Sequence, residues 1–326
     1  MIEEATVFIL GAGASAPYGY PVGKDLRDEI IEHFVSDFTS YFRGEDIIQP
    51  FNKAKRDLVR DALSFVERFR RAHTQSIDLF LAGHAEDREL TRMGRLAIVF
   101  RVLAAERKQI MFRKAIENPQ RDWYSFILGK LRDKLVTRDD FIGRFCENKF
   151  SIITFNYDRS LDHFLFDSLV NAFGGVTPAI VKEQLSHVKI IHVFGQIAGL
   201  PWQDIHIMVP YGGELGRVGV ATLADNLKII YDDHNNLALE EAPKLMAAAK
   251  RIFFLGFGYA EENLEILQLP KKDEANTMVY GTAFGLTENE RGNKRGILRR
   301  VMELSADSVE LARDDCDCLR LLRERL

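Results

Sequence analysis

The sequence predicts an α/β protein: a doubly wound, mostly parallel, Rossmann-like sheet with a large helical insertion. Three observations carry that prediction. An apolar run, Val7 to Leu10, drives into the small-residue turn Gly11-Ala12-Gly13-Ala14-Ser15. Further strand-like runs recur at Phe150–Thr154, Lys189–Phe194, Arg251–Leu255 and Thr277–Ala283, with helical patterns in the gaps. Strands alternating with helices build parallel sheets, because a parallel pair needs a crossover long enough to return over one face. The chain is also long enough, at 326 residues, and apolar enough, at 46% hydrophobic, to bury a substantial core.

Each element has a local reason. The first strand ends where Gly11 and Gly13 remove side chains from the backbone, and Gly11, Gly13 and Ala16 satisfy the G-x-G-x-x-A spacing of a phosphate-binding turn. In a hydride-transfer dinucleotide enzyme a long helix starts inside that motif. Here Pro17, Gly19, Pro21 and Gly23 oppose it, so Ser15–Gly23 is expected to form a loop over bound phosphates. A helix then begins near Lys24 and runs to about Phe38, with Leu26, Ile30, Ile31 and Phe34 on one side. Residues 39–50 read as a loop.

Between residues 39 and 145 nothing reads as a strand, and past the loop the pattern is that of a helical insertion. Leu58, Ala62, Phe65, Val66 and Phe69 recur at helical spacing; Ser76 caps Ile77–Leu81 and Gly83 ends it; Leu90–Phe112 is a long helix; Trp123, Phe126, Ile127, Leu131 and Leu135 mark another. The expected division is therefore residues 1–38 and 146–326 for the sheet domain and 39–145 for the insertion. Helices at Leu161–Phe173 and Glu241–Ala249, the latter with Pro243 in its first turn, fill gaps between later strands.

Composition narrows the function. A net charge of −4 and a pI of about 6.1 give no basic footprint for nucleic acid. The clusters Arg68-Phe69-Arg70-Arg71 and Arg299-Arg300 read as solvated helix faces. No apolar stretch approaches the ~20 residues of a membrane span, and the acidic N-terminus does not resemble a signal peptide, so a cytoplasmic location is expected. The three cysteines, Cys146, Cys316 and Cys318, supply one C-x-C and no second pair for a tetrahedral zinc site.

In doubly wound sheets ligands bind beyond the carboxyl ends of the strands, and three later strands end in suggestive residues. Thr154-Phe155-Asn156-Tyr157-Asp158 places an amide and a carboxylate two residues apart, with capping of the next helix as the alternative role. Ile190-Ile191-His192-Val193-Phe194-Gly195 carries a histidine, which strand alternation places on the same face as Phe194; a structural hydrogen bond is its alternative role. Gly256-Phe257-Gly258-Tyr259, followed by Glu261, Glu262 and Asn263, is a second glycine turn suited to ribose or adenine, or simply a tight turn. Gly281–Leu286 is a weaker ligand loop.

In this order, the motifs resemble the sirtuin-like family, NAD-consuming proteins related to silent-information-regulator deacylases. The sirtuin G-A-G-x-S and G-x-P elements are matched by Gly11, Ala12, Gly13, Ser15, Gly19 and Pro21, and the T-Q-N-x-D element by Thr154, Asn156 and Asp158. The chain departs from the family in lacking a zinc ribbon, in its long insertion, in Phe155 at the glutamine position and in Phe194 directly before Gly195. The pattern looks most like the bacterial antiphage-defence NADase branch. The resemblance implies NAD as substrate without zinc, and hydrolysis to nicotinamide and ADP-ribose. It implies catalytic roles for Asn156, His192 and Asp158, with NAD bound by Gly11, Ala12, Gly13, Ser15, Pro21, Thr154, Gly195, Gly256, Gly258 and Asn263. Asn156 would orient the ribose and the attacking water, Asp158 would hold the nicotinamide or the motif loop, and His192 would accept a proton. It further implies a homo-oligomer and a separate activating partner, such as a HerA-type hexameric DNA-translocating ATPase. Two alternatives stay open: a sirtuin-type protein deacylase or ADP-ribosyltransferase, and a non-catalytic NAD or ADP-ribose sensor.

Overall fold

In the computed structural model, which describes residues 1–48, 51–74, 76–107, 117–205, 207–213, 217–227, 237–271, 277–313 and 315–326, six strands form one parallel sheet. They are β1 (Thr6–Leu10), β2 (Phe150–Thr154), β3 (Lys189–His192), β4 (Arg251–Leu255), β5 (Met278–Gly281) and β6 (Val309–Leu311). The order across the sheet is β3-β2-β1-β4-β5-β6, the dinucleotide-fold order, whose direction of winding reverses between β1 and β4. This is a Rossmann-like, doubly wound α/β fold. The central strands TVFIL, FSIIT and RIFFL carry near-continuous burial because helices cover both faces.

Register sets the functional edge. Leu10 pairs with both Thr154 and Leu255, and Thr154 pairs with His192. The carboxyl ends of β3, β2, β1 and β4 therefore stand in one row, three inter-strand steps wide, or about 14 Å.

Several elements differ from the sequence expectation. A short helix, Ala12–Ser15, does form inside the glycine motif, followed by a 3-10 turn, Ala16–Tyr18. Pro17 is accommodated because it sits in the first turn, where its missing N–H is not needed, and Gly19 ends the turn at φ +93°. The long helix then runs Gly23–Tyr41, three residues past its expected end. The region expected to be strand-free contains a minimal antiparallel pair, Ile47–Ile48 with Lys53–Ala54. The helix expected over Leu90–Phe112 is described as Arg88–Arg107; residues 108–112 lie outside the described residues. Pro243 lies inside the helix Leu237–Ala248 rather than in its first turn, because that helix starts four residues earlier than expected.

The helices Gly23–Tyr41, Lys55–Ala72, Ile77–Ala82 and Arg88–Arg107 pack on one another through an aromatic seam of Phe34, Phe38, Phe65, Phe69, Phe80 and Phe100. The helix Trp123–Arg132 instead packs on the glycine turn: Trp123 Nε1 donates to the Ala14 carbonyl at 2.8 Å, and Tyr124 stacks on Tyr18. Among the described residues no helix is long and apolar enough to cross a membrane.

Candidate functional site

The glycine turns at the ends of β1 and β4 are packed backbone against backbone. Gly11 N–H donates to Leu255 O, Gly13 N–H to Gly256 O and Ala14 N–H to Gly11 O, at 2.9–3.0 Å. A Cβ on Gly11 would lie 2.6 Å from Gly256 O, and one on Gly256, which has φ +57°, would lie 2.0 Å from Ala14 N. Glycine is required here by this mutual approach. The amides of Gly11, Gly13 and Ala14 are committed within the protein, so the turn is not an open phosphate cradle at those three positions. Ala12 is exposed.

Next to that turn, Asn156 leaves the end of β2 and points back at it. Its Nδ2 donates to Gly11 O at 3.1 Å and to Ser15 Oγ at 3.0 Å, and its backbone N–H donates to Thr154 Oγ1 at 3.1 Å. Because Gly11 O can only accept, the amide's orientation is determined and Oδ1 is its remaining acceptor. Asp158 accepts from Ser160 N–H at 3.0 Å and, more closely, from Ser160 Oγ. It thus holds Ser160 at the start of the helix Ser160–Ala172, but the N-cap position expected for Asp158 or Asn156 is occupied by Arg159, whose side chain does not cap. Burial raises its pKa, only partly opposed by hydrogen bonds from Ser160 and Ser15.

His192 closes the third side. Nδ1 lies 3.3 Å from the Asn156 carbonyl and Nε2 lies 3.3 Å from Asp162 Oδ2. Burial lowers the ring's proton affinity, but Asp162, the Asn156 carbonyl and Asp158 outweigh it, and the pKa is raised. The expected sharing of a strand face with Phe194 is corrected. β3 ends at His192, and Gly195 N–H closes a turn onto His192 O at 3.1 Å, with Gly195 at φ +74°. Phe194 leaves the strand alternation and packs edge-on against Phe155, with ring centroids 5.5 Å apart.

These residues enclose a small inner pocket of 10 Å³, lined by Ser15, Tyr124, Thr154, Asn156, Asp158 and His192 among others, room for about one water molecule. His192, Asp162 and Ile190 also line an outer cavity of 460 Å³, whose further wall includes Gly195, Gln196, Trp202 and Gln203. That volume lies in the range of small-molecule sites.

Of the residues expected to act together, the structure unites Ser15, Thr154, Asn156, Asp158 and His192 around one pocket, with Gly195 in the adjoining wall. Gly258 and Asn263 lie on the other side, after β4, and line neither space. Pro21 is half-buried in the link to the Gly23–Tyr41 helix. Sequence reasoning missed Asp162, Gln203 and Tyr124. Asp162 carried a weak signal, as a carboxylate in the first turn of a helix rich in large apolar residues, four positions after Asp158. It also missed Arg159 and Glu106, a fully buried ion pair that ties the cavity wall to the helical block. Among the described residues no group of three or more His, Cys, Asp or Glu is placed to hold a metal ion. No protein-family model matches the sequence, and no curated protein shows detectable similarity to it.

Proposed function

We propose that this chain hydrolyses the nicotinamide–ribose bond of NAD, as its motif resemblance to the sirtuin-like family suggests. The observation that carries the reading is the convergence of Asn156, Asp158 and His192, from adjacent strand ends, on one small pocket that adjoins a ligand-sized cavity. In this reading water attacks C1′ as neutral nicotinamide departs with the bonding electrons, and the water's proton leaves through a base, giving ADP-ribose. The transition state is oxocarbenium-like, so a pocket rich in aimed acceptors suits it. Asn156 Oδ1 would hold the water or the ribose. His192, in its neutral form with one ring nitrogen unprotonated and turned from its acceptor to the water, would take up the proton. A dinucleotide reaching from His192 to Gly258 and Asn263 would cross all three inter-strand steps.

Incubation of the purified chain with NAD, followed by chromatography, tests this reading. Nicotinamide and ADP-ribose in equal amounts without an added acceptor support it, with Asn156→Ala as the silent control. Nicotinamide only in the presence of an acylated peptide assigns the chain to the deacylases. With the resemblance, the chain becomes an NAD-depleting antiphage effector, and the assay extends to mixtures with a HerA-type ATPase. One observation favours a second reading, a non-catalytic NAD or ADP-ribose sensor: both ring nitrogens of His192 face acceptors, which favours the protonated ring over the free base. Saturable NAD binding without turnover, alone and with the ATPase, would select it.

A further inference from the structure

The hydrogen bonds beside His192 fix the orientation of Gln203. The Leu200 backbone N–H, which can only donate, lies 2.8 Å from Gln203 Oε1, and Gln196 Nε2 lies 2.8 Å from the same oxygen. Gln203 must therefore turn its NH₂ toward Asp162, whose Oδ1 lies 2.9 Å away and accepts. The other carboxylate oxygen faces His192 Nε2, while the Asn156 carbonyl faces Nδ1. With Asp162 ionised, both partners of the ring are acceptors. A neutral imidazole carries one N–H and satisfies one of them; the imidazolium satisfies both.

We propose that Asp162 is the positioning residue of this site: it holds His192 as an imidazolium against the Asn156 carbonyl, with Gln203 locking the carboxylate to the 195–203 segment of the cavity wall. The catalytic consequence rests on the NAD-hydrolysis reading; the hydrogen-bond assignment does not. The charged and titratable groups that bear on the ring or line its pocket are Asp162 from the Ser160–Ala172 helix, Asp158 from the turn after β2 and Tyr124 from the Trp123–Arg132 helix. Gln196 and Gln203 are neutral, and no cation opposes the assignment among these groups. A histidine held in this way serves as a base only after deprotonation. Displacement of Gln203 by a ligand in the outer cavity would loosen the carboxylate and ease that step, which makes the wall segment a control on the histidine.

Nitrogen-15 NMR of histidine-labelled full-length protein reads this directly, with the His192 signals assigned by their loss in His192→Asn. The expected wild-type ring is doubly protonated at neutral pH and titrates above the ordinary histidine range. Asp162→Asn, close to isosteric, moves the midpoint to lower pH, and Gln203→Leu, which leaves Asp162 in place, moves it the same way by less. The acidic limb of any NAD turnover, where rate rises as the ring loses its proton, shifts with it. A neutral wild-type ring at pH 7, or a midpoint unmoved in both variants, overturns the proposal. Absence of NAD cleavage, alone and with the ATPase, with the midpoint shifted overturns the hydrolase reading alone.

Discussion

Replacing Glu106 by glutamine is the sharpest test of how the cavity wall is held. Arg159 and Glu106 are both fully buried, with Nε–Oε1 at 3.0 Å and Nη2–Oε2 at 2.9 Å. The guanidinium also donates to the carbonyls of Gly199, Val209 and Pro210, and Glu106 Oε2 accepts from Gly212 N–H at 3.1 Å. One ion pair therefore joins the Arg88–Arg107 helix, the first turn after β2 and the segment bounded by Gly199 and Gly212. Glutamine keeps the shape and removes the charge, leaving an uncompensated buried guanidinium. Breaking such a pair costs about 3–5 kcal/mol. An unfolding entropy of about 2.1 cal/mol/K per residue gives about 0.7 kcal/mol/K for this chain length, so the expected fall in Tm is about 4–7 °C. Differential scanning calorimetry measures it, with Arg144→Ala as the control: Arg144 pairs with Glu147 on an exposed surface, and its loss should leave Tm unmoved. A Glu106→Gln melt within about 1 °C of wild type would refute the reasoning, because the guanidinium would then not depend on this carboxylate.

Three other outcomes are expected. Asn156→Ala should lower NAD turnover about 10²–10³-fold in the nicotinamide-release assay, while its two side-chain hydrogen bonds, worth about 1 kcal/mol each, cost only a modest loss of stability in a thermal melt. Asp158→Asn retains an oxygen for Ser160 and removes a buried carboxyl whose pKa burial raises. A folded value above the unfolded one supplies stability that is complete below about pH 3.9, the unfolded carboxylate value, and is lost as pH rises through the folded value. The variant should therefore gain on wild type in Tm between about pH 4 and 7; an advantage that shrinks over that range would contradict the burial argument. Gly256→Ala should abolish soluble expression, since its Cβ would meet Ala14 N at 2.0 Å, whereas Gly258→Ala meets nothing within 4 Å and should melt like wild type. A loss of NAD binding in a normally folded Gly258→Ala protein, read by calorimetric titration, would then report a ligand contact.

The central strands were legible because burial on both faces writes them as unbroken apolar runs: TVFIL, FSIIT and RIFFL can hardly be anything else in a chain of this length. Asn156, Asp158 and His192 were legible because a polar residue at the end of such a run has few reasons to be there. β6 was not, since a three-residue edge strand, Val309-Glu310-Leu311, carries too short an alternation to stand out. The end of β3 was misplaced by two residues because Val193 and Phe194 continue the apolar pattern, and only the φ +74° of Gly195 shows that the backbone has already turned. The Arg159–Glu106 pair lies 53 residues apart in sequence, and nothing local distinguishes either residue from a solvated charge. Gln203 gains its meaning only once Leu200 N–H fixes its orientation. Long-range polar pairing has no periodicity, and periodicity is what a single sequence displays.

The first turn of the Ser160–Ala172 helix ties several of these observations together. Asp158 holds Ser160, Arg159 holds the carbonyls of Gly199, Val209 and Pro210, Asp162 holds His192 and Gln203, and His163 stacks on Tyr211 at 4.2 Å. Tyr211 in turn meets Tyr20, in the link that follows the glycine turn, hydroxyl to hydroxyl at 2.5 Å. Six consecutive residues thus join the glycine turn, the pocket and the cavity wall. Substitution at Asp158, Arg159 or Asp162 acts on wall and pocket at once, so lost activity there reads equally as lost architecture. Asn156 and His192 differ: His192 ends β3, Asn156 follows β2 by two residues with its N–H on Thr154 Oγ1, and both line the pocket without tying the wall segment to the helix. A rate that falls in Asn156→Ala while the melt barely moves is therefore the result that separates chemistry from scaffold.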